Sequence, residues 1–190
     1  GVRLVGSEMC IRDRIKLIKN IKTTGTITPS SKNLVRRLLA PIDFERAGCI
    51  VELGPGNGVV TRSLLKRMHK DCVLVCLEVN NDFVNQLNRV NDPRLHVYNA
   101  CASSIRQILN ELGFDKVDYV VSSLPLALID DDIVQNILAE VDSNLKEGGH
   151  FLQYQYSLAN YSDVKPIFRD VKLKFTLRNM PPAFVYECIK

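Results

Sequence analysis

Hydrophobic and polar positions alternate along the chain with two different periods. Short apolar runs recur at CIVEL (49–53), CVLVCLEV (72–79), LHVYNA (95–100), VDYVVSSL (117–124) and GGHFLQYQYS (148–157). Bounded by turn residues and rich in Val and Leu, they read as buried strands. Segments of helical spacing separate them. VVTRSLLKRM carries Val59, Val60, Leu64, Leu65 and Met68 toward the core. NNDFVNQLNRV has Asp82 in its first turn, ASSIRQILNEL is closed by Gly113, and DDDIVQNILAEVDSNL starts acidic, as the helix dipole favours. Upstream, KNLVRRLLAPI reads as a helix entered at Pro29-Ser30-Ser31 and ending near Ala40, because Pro41 disfavours helix before it. KPIFRDV reads as a short helix. KFTLRN and AFVYECI read as a final strand pair separated by Met180-Pro181-Pro182. Strands alternating with helices predict one α/β domain, a doubly wound parallel sheet with helices on both faces. The last two strands lack a crossover helix and should pair antiparallel.

The N-terminal end breaks this order. Residues 1–14, GVRLVGSEMCIRDR, show neither a sustained period nor the apolar core of a signal peptide. The string LVGSEMCIRDR resembles the translation of a transposon-based sequencing adapter. Residues 1–14 are therefore expected to be a non-native scar, with the native N-terminus missing; the alternative is a disordered native terminus. Residues 15–22 form a short amphipathic segment, Ile15, Leu17, Ile18 and Ile21 opposing Lys16, Lys19 and Lys22. It reads either as the remainder of a basic helix lying on an anionic membrane or as a domain-edge helix with solvated lysines. Residues 23–190 form the domain.

Composition narrows the class. With 190 residues, 46% hydrophobic and 24% charged, the chain is neither collagen-like, mucin-like nor wholly disordered. No apolar run approaches the roughly 20 residues that span a bilayer. A net charge of +4 neither selects nor excludes nucleic acid or anionic lipid. Six cysteines in a chain this long are not a disulfide framework, and none has the CxxC spacing of a zinc site. Reduced, buried thiols in a cytoplasmic protein without a metal site are expected.

The glycine loop carries the chemistry. Glu52-Leu53-Gly54-Pro55-Gly56-Asn57-Gly58 lies where a strand turns into a helix. Glycines there permit a tight turn and close approach of backbone to a ligand at the carboxyl edge of the sheet. The spacing G-x-G-x-G differs from the dinucleotide fingerprint G-x-G-x-x-G, and the Gly-Lys-Ser/Thr of a phosphate-binding loop is absent. An acid at the loop opposes a diphosphate and suits a cation. Glu78, closing the second strand, can accept both hydroxyls of a ribose.

ELGPGNG followed by Glu78 resembles the class I S-adenosylmethionine-dependent methyltransferases, with a Rossmann-like seven-stranded sheet. The resemblance is closer to the bacterial phospholipid N-methyltransferases, relatives of the ribosomal RNA adenine dimethyltransferases. It runs through TGTITPSS (24–31), VELGPGNGVVTRSLL (51–65), LEVN (77–80), VDYVVSSLPLALI (117–129), GGHFLQYQYS (148–157) and RNMPPAFVYE (178–187). It implies S-adenosyl-L-methionine as cofactor. Glu52, Gly54, Pro55, Gly56, Asn57 and Gly58 would line its methionine part. Glu78 would hold the ribose with Val79 beside the adenine, and Ala102 and Ser122 would complete the site. The family commonly has an aspartate contacting the adenine amine where this chain has Cys101. A thiol accepts hydrogen bonds poorly, so about 1–2 kcal/mol of that contact is expected to be lost, unless Ser103 or backbone groups substitute. Ser30 and Ser31 match an element that closes over the cofactor, or else cap a helix.

The fourth strand bears on the acceptor. Enzymes of base amines carry Asn/Asp-Pro-Pro-Tyr/Phe here, the ring stacking on the base. This chain has Ser123-Leu124-Pro125-Leu126, and Leu126 offers no π-face for a flipped base. Leu124 and Leu126 read equally as apolar packing. The expected acceptor is an amine-bearing phospholipid, such as phosphatidylethanolamine, or another small amine. Methyl transfer would proceed by direct in-line displacement, with the Ser123-Leu124 backbone orienting the acceptor. Tyr154 and Tyr156, on one face of the fifth strand, would either hold a methylated ammonium by cation–π contact, Tyr156 matching a family tyrosine, or pack the sheet. His69 on a helix, His96 within a strand and His150 at a strand start read as structural. Lys16, Lys19 and Lys22 would make peripheral contact at the inner membrane face. The alternatives are a ribosomal RNA adenine methyltransferase, disfavoured by Leu126 and by the lack of a helical domain after the last strand, and a non-catalytic cofactor-binding domain, suggested by Cys101.

Overall fold

The computed structural model describes residues 31–176 and 181–190. Ser30, the segment 15–22 with Lys16, Lys19 and Lys22, and residues 1–14 lie outside the described residues. Chain order runs α1 (Lys32–Leu38), β1 (Cys49–Leu53), α2 (Val59–Arg67), β2 (Val73–Glu78), α3 (Asn81–Leu87), β3 (Leu95–Asn99), α4 (Ile105–Glu111), β4 (Val117–Ser122), α5 (Asp131–Asn144), β5 (Leu145–Gln155), α6 (Tyr161–Val164), β6 (Asp170–Thr176) and β7 (Ala183–Ile189). The sheet order is β3-β2-β1-β4-β5-β7-β6. β1 to β5 are parallel, and β7 runs antiparallel to both β5 and β6.

The strand sequences explain their place. Parallel strands are covered on both faces and need apolar residues at every position. β1 is buried throughout, and β2 at all but its first residue. One face packs Val51, Val120 and Phe151 with Ile105, Ile108, Ile133 and Ile137 of α4 and α5, and Val164 of α6. The other packs Ile50, Leu74 and Val121 with Leu34 and Leu38 of α1 and Val60 and Leu64 of α2. The five described cysteines are all buried.

Several sequence expectations shift. The short helix expected at KPIFRDV is instead one turn, Tyr161–Val164. Asn160 Nδ2 bonds the Asp163 carboxylate (3.1 Å) at its start, and Pro166 offers no N–H to extend it. β6 begins at Asp170 rather than at Lys174, because Asp170 to Leu173 pair in register with Ile189 to Tyr186 of β7. β5 ends at Gln155, so Tyr156 lies beyond it. His69 follows α2 rather than sitting on it, and His150 lies within β5. No described helix is long and apolar enough to cross a membrane.

Asp118 anchors the amino edge of the sheet. Its Oδ2 accepts from Gly48 N (2.9 Å) and Cys49 N (3.0 Å), and Lys146 Nζ lies 2.5 Å from Oδ1. Burial by itself would raise this carboxyl; Lys146 and the two N–H groups outweigh it and hold it below its ordinary value. The folded pKa is thus depressed, so its contribution is present above the unfolded value and lost as pH falls through the folded one. Asp118→Ala should lower stability by about 1–3 kcal/mol in urea unfolding at neutral pH, with a smaller difference in acid.

Candidate active site

The site is built where β1, β2 and β4 end. Leu53 closes β1 and the chain reverses through three glycines of positive φ: Gly54 (66°), Gly56 (54°) and Gly58 (77°). A side chain is strained in this region whatever space surrounds it. A Cβ on Gly54 would meet Leu124 Cδ2 at 2.6 Å, and one on Gly58 would meet Leu87 Cδ2 at 2.7 Å. Around Gly56 nothing lies within 4 Å of that position, so the loop opens there into free space. Gly58 N donates to Pro55 O (2.9 Å) to close the turn, and exposed Asn57 takes Arg62 Nη2 on its carbonyl (2.9 Å).

Glu78 faces this loop from the end of β2. Its Oε2 accepts from Gly56 N (3.0 Å) and its Oε1 from Asn80 N (2.8 Å). Burial raises the carboxyl, while the N–H groups of Asn80, Gly56 and Val79 pull it back down. A carboxylate has about four acceptor sites, so lone pairs remain for hydroxyl donors. Asn99 Nδ2 ties the adjoining backbone, donating to Glu78 O (3.1 Å) and Val79 O (3.2 Å).

Glu52 lies beneath the loop, fully buried. Cys76 Sγ reaches its Oε2 at 3.4 Å, and the Thr61 hydroxyl lies beside it. Burial pushes Glu52 up to about 7; Thr61 and Cys76 offset part of this, and the charge of Glu78 adds to it.

The remaining expected residues divide. Ser122 is buried and its Oγ accepts from Leu124 N (3.2 Å). Ser123 N donates to Leu53 O (2.9 Å), which lays the chain after β4 along the glycine loop. Leu124 O already accepts from Gln153 Nε2 (2.9 Å), so two of the backbone groups expected to orient an acceptor are engaged within the protein. Leu126 is 1% exposed, a core side chain. Cys101 and Ser103 pair through Sγ and Oγ at 2.7 Å, with buried Ala102 between them. Ser31 caps α1, its Oγ accepting from Leu34 N (3.2 Å). Tyr154 is buried and Tyr156 is 39% exposed, their rings meeting edge to face at 5.9 Å; they touch, but they do not form one open face.

Sequence reasoning missed Gln153 and Gln155, both buried, Gln153 against Leu124. Their signal was two amides at period two in the otherwise apolar run FLQYQY.

The geometry suits a nucleoside with two free hydroxyls and a neutral or cationic tail. Open space at Gly56 admits it, acceptor-only Glu78 faces it, and carboxylates on both sides oppose phosphate. Comparison with known proteins gives the same chemistry. Residues 50–149 match a family model described as a methyltransferase domain. An ornithine lipid N-methyltransferase of Singulisphaera acidiphila is 31% identical over 176 residues, 91% of this chain and 92% of that one. The ribosomal RNA small subunit methyltransferase A of Mycoplasma mycoides is 24% identical over 132 residues; the match takes in 68% of this chain but only 47% of that longer protein. Among solved structures, a Bacillus cereus O-methyltransferase in complex with SAH superposes with a TM-score of 0.68 at 13% identity, covering 98% of this chain and 93% of that one. A Burkholderia thailandensis 1,6-didemethyltoxoflavin-N1-methyltransferase gives 0.69 at 11% identity, over 99% and 92%. At these identities the structures speak for the fold.

The buried carboxyl beneath the loop sets a pH dependence. The folded pKa of Glu52 is raised from 4.5 to about 7, so its neutral form favours folding below the unfolded value, and that stability is lost as pH rises through the folded one. Glu52→Gln should therefore flatten the fall in thermal stability between about pH 4.5 and pH 7. An identical pH profile in both proteins would contradict it.

Proposed function

This chain belongs to the methyltransferase-domain family, the S-adenosylmethionine-dependent enzymes that its glycine loop and sheet resemble, and from that premise we propose that it methylates the amine headgroup of a lipid. The methyl donor supplies an activated methyl on a sulfonium. Everything else falls to the chain's own residues. Glu78 takes the ribose hydroxyls while Gly56 N–H holds its carboxylate in place. Gly54, Gly56 and Gly58 give the methionine portion room, Glu52 adds negative charge beneath the cationic donor, and Val79 and Ala102 border the adenine. The Cys101–Ser103 pair stands where an aspartate serves in relatives. Acceleration comes from alignment and exclusion of water, since a neutral amine needs no base to attack in line.

The observation that carries the acceptor reading is the likeness to the ornithine lipid N-methyltransferase over nearly the whole chain. The geometry agrees with it at two points. Leu126 is buried in the core, which leaves a flipped base without a stacking platform at this position. Tyr156, just past the carboxyl end of β5, exposes its ring, which suits an ammonium. A reading as a ribosomal RNA methyltransferase has the Mycoplasma relative in its favour.

Methyl-labelled cofactor should place label in vesicles containing phosphatidylethanolamine or an ornithine lipid, and not in stripped small-subunit ribosomal RNA. Label in RNA alone would overturn the proposal. Gly56→Ala separates binding from folding. It should cost about 1–2 kcal/mol of stability through the left-handed backbone, yet weaken S-adenosylhomocysteine binding at least about tenfold by filling the open space, a difference of ~1.4 kcal/mol by calorimetry.

A further inference from the structure

Gln153 and Gln155 stand on one face of β5, 1% and 5% exposed. Burying an amide is costly unless its polar atoms are bonded. Gln153 Nε2 donates to two carbonyls, Leu124 O at 2.9 Å and Tyr154 O at 2.6 Å. Two carbonyl acceptors fix which end of the amide is nitrogen. Gln153 Oε1 is then left buried with no donor among the described residues. Gln155 shows the complementary need, its Nε2 buried with no acceptor among the described residues.

Their place is the carboxyl edge of the sheet. Gln153 pairs in register with Ser122, the last residue of β4. Leu124, which Gln153 holds, lies against Gly54 of the glycine loop. The Gln153 amide is thus joined through one residue, Leu124, to the loop assigned to the methyl donor. Buried polar atoms without partners are rare in folded proteins and call for a ligand or another explanation.

We propose that Gln153 grips the acceptor: its Oε1 accepts an N–H of the incoming amine, and Gln155 Nε2 donates to an oxygen of the same headgroup. This rests on the lipid-amine reading and adds which side chains select the acceptor and at which methylation steps they act. A neutral primary amine has two N–H bonds and one lone pair. Holding one N–H directs the lone pair. In each transfer that pair forms the new N–C bond, the methyl's bond to sulfur breaks with its electrons going to sulfur, and the resulting ammonium releases one proton to water before the next round. The first and second transfers start from nitrogen that still bears an N–H. The third starts from a dimethylated amine with none. Gln153 therefore assists the first two transfers and not the third.

The test uses the full chain with three separate vesicle preparations, of unmethylated, monomethylated and dimethylated phosphatidylethanolamine. Gln153→Met should lower kcat/KM about 10- to 100-fold on the first two and leave the third within about threefold. Cofactor binding by calorimetry should stay near the wild-type value. Equal losses on all three lipids, with cofactor binding intact, would overturn the proposal. Should Gln153→Met fail to bind cofactor, Gln155→Met carries the test, because the headgroup oxygen that Gln155 Nε2 would bond is present in all three lipids. It should lower kcat/KM by a similar factor of about 10 on each with cofactor binding intact, and unchanged rates on all three would overturn the proposal. Wild-type inactivity on all three vesicles would instead strike the lipid-amine reading, and the Gln153 assignment with it.

Discussion

The active edge of this protein depends on one carboxylate. Glu78 bridges two backbone N–H groups that belong to different elements, Gly56 in the loop after β1 and Asn80 at the start of α3. Charge-assisted bonds of this kind are among the stronger hydrogen bonds in proteins. They fix the glycine loop against the end of β2, and so decide where open space remains. The three left-handed glycines make such a path possible; the carboxylate selects it from the many that glycine allows. Its roughly four acceptor sites are only partly used, so the same group that shapes the loop keeps lone pairs for hydroxyl donors.

Around that centre the charge is arranged for a cation. Glu52 lies under the loop, its burial holding it partly neutral near physiological pH, and Glu78 adds to the cost of ionising it. A ligand carrying positive charge relieves both penalties, whereas phosphate would compound them. Beyond the loop the packing tightens: Leu124 closes on Gly54, Ser123 bonds back to β1, and Gln153 ties that segment to β5. The donor side and the acceptor side are thus linked through few residues. This is how a fold shared with enzymes of quite different acceptors can be specialised by its fourth and fifth strands.

Much of this could be read from the sequence because it rests on local signals. The runs CIVEL and AFVYECI coincide with β1 and β7, since a strand covered on both faces must be apolar throughout. The order strand, glycine loop, helix holds in the fold, with Glu78 closing the second strand. What escaped was set by distant partners. The start of β6, Asp170 to Leu173, is mostly exposed and lacks a buried-strand pattern, and its register with Ile189 to Tyr186 of β7 is what makes it a strand. Pro166 ended a helix that spacing had placed too late. Gln153 passed unread within the fifth strand, because the carbonyl it holds, Leu124 O, is far along the chain. Leu124 itself looked available to an acceptor for the same reason.

The central claim is that Glu78 holds the ribose of the methyl donor. Titration calorimetry of S-adenosylhomocysteine into the wild type and Glu78→Gln tests it most directly, since it needs no acceptor. With two hydroxyls bonded to a charged group, the substitution should weaken binding by about 100-fold or more, in a protein that still unfolds cooperatively. Equal affinity in the two proteins would contradict the account.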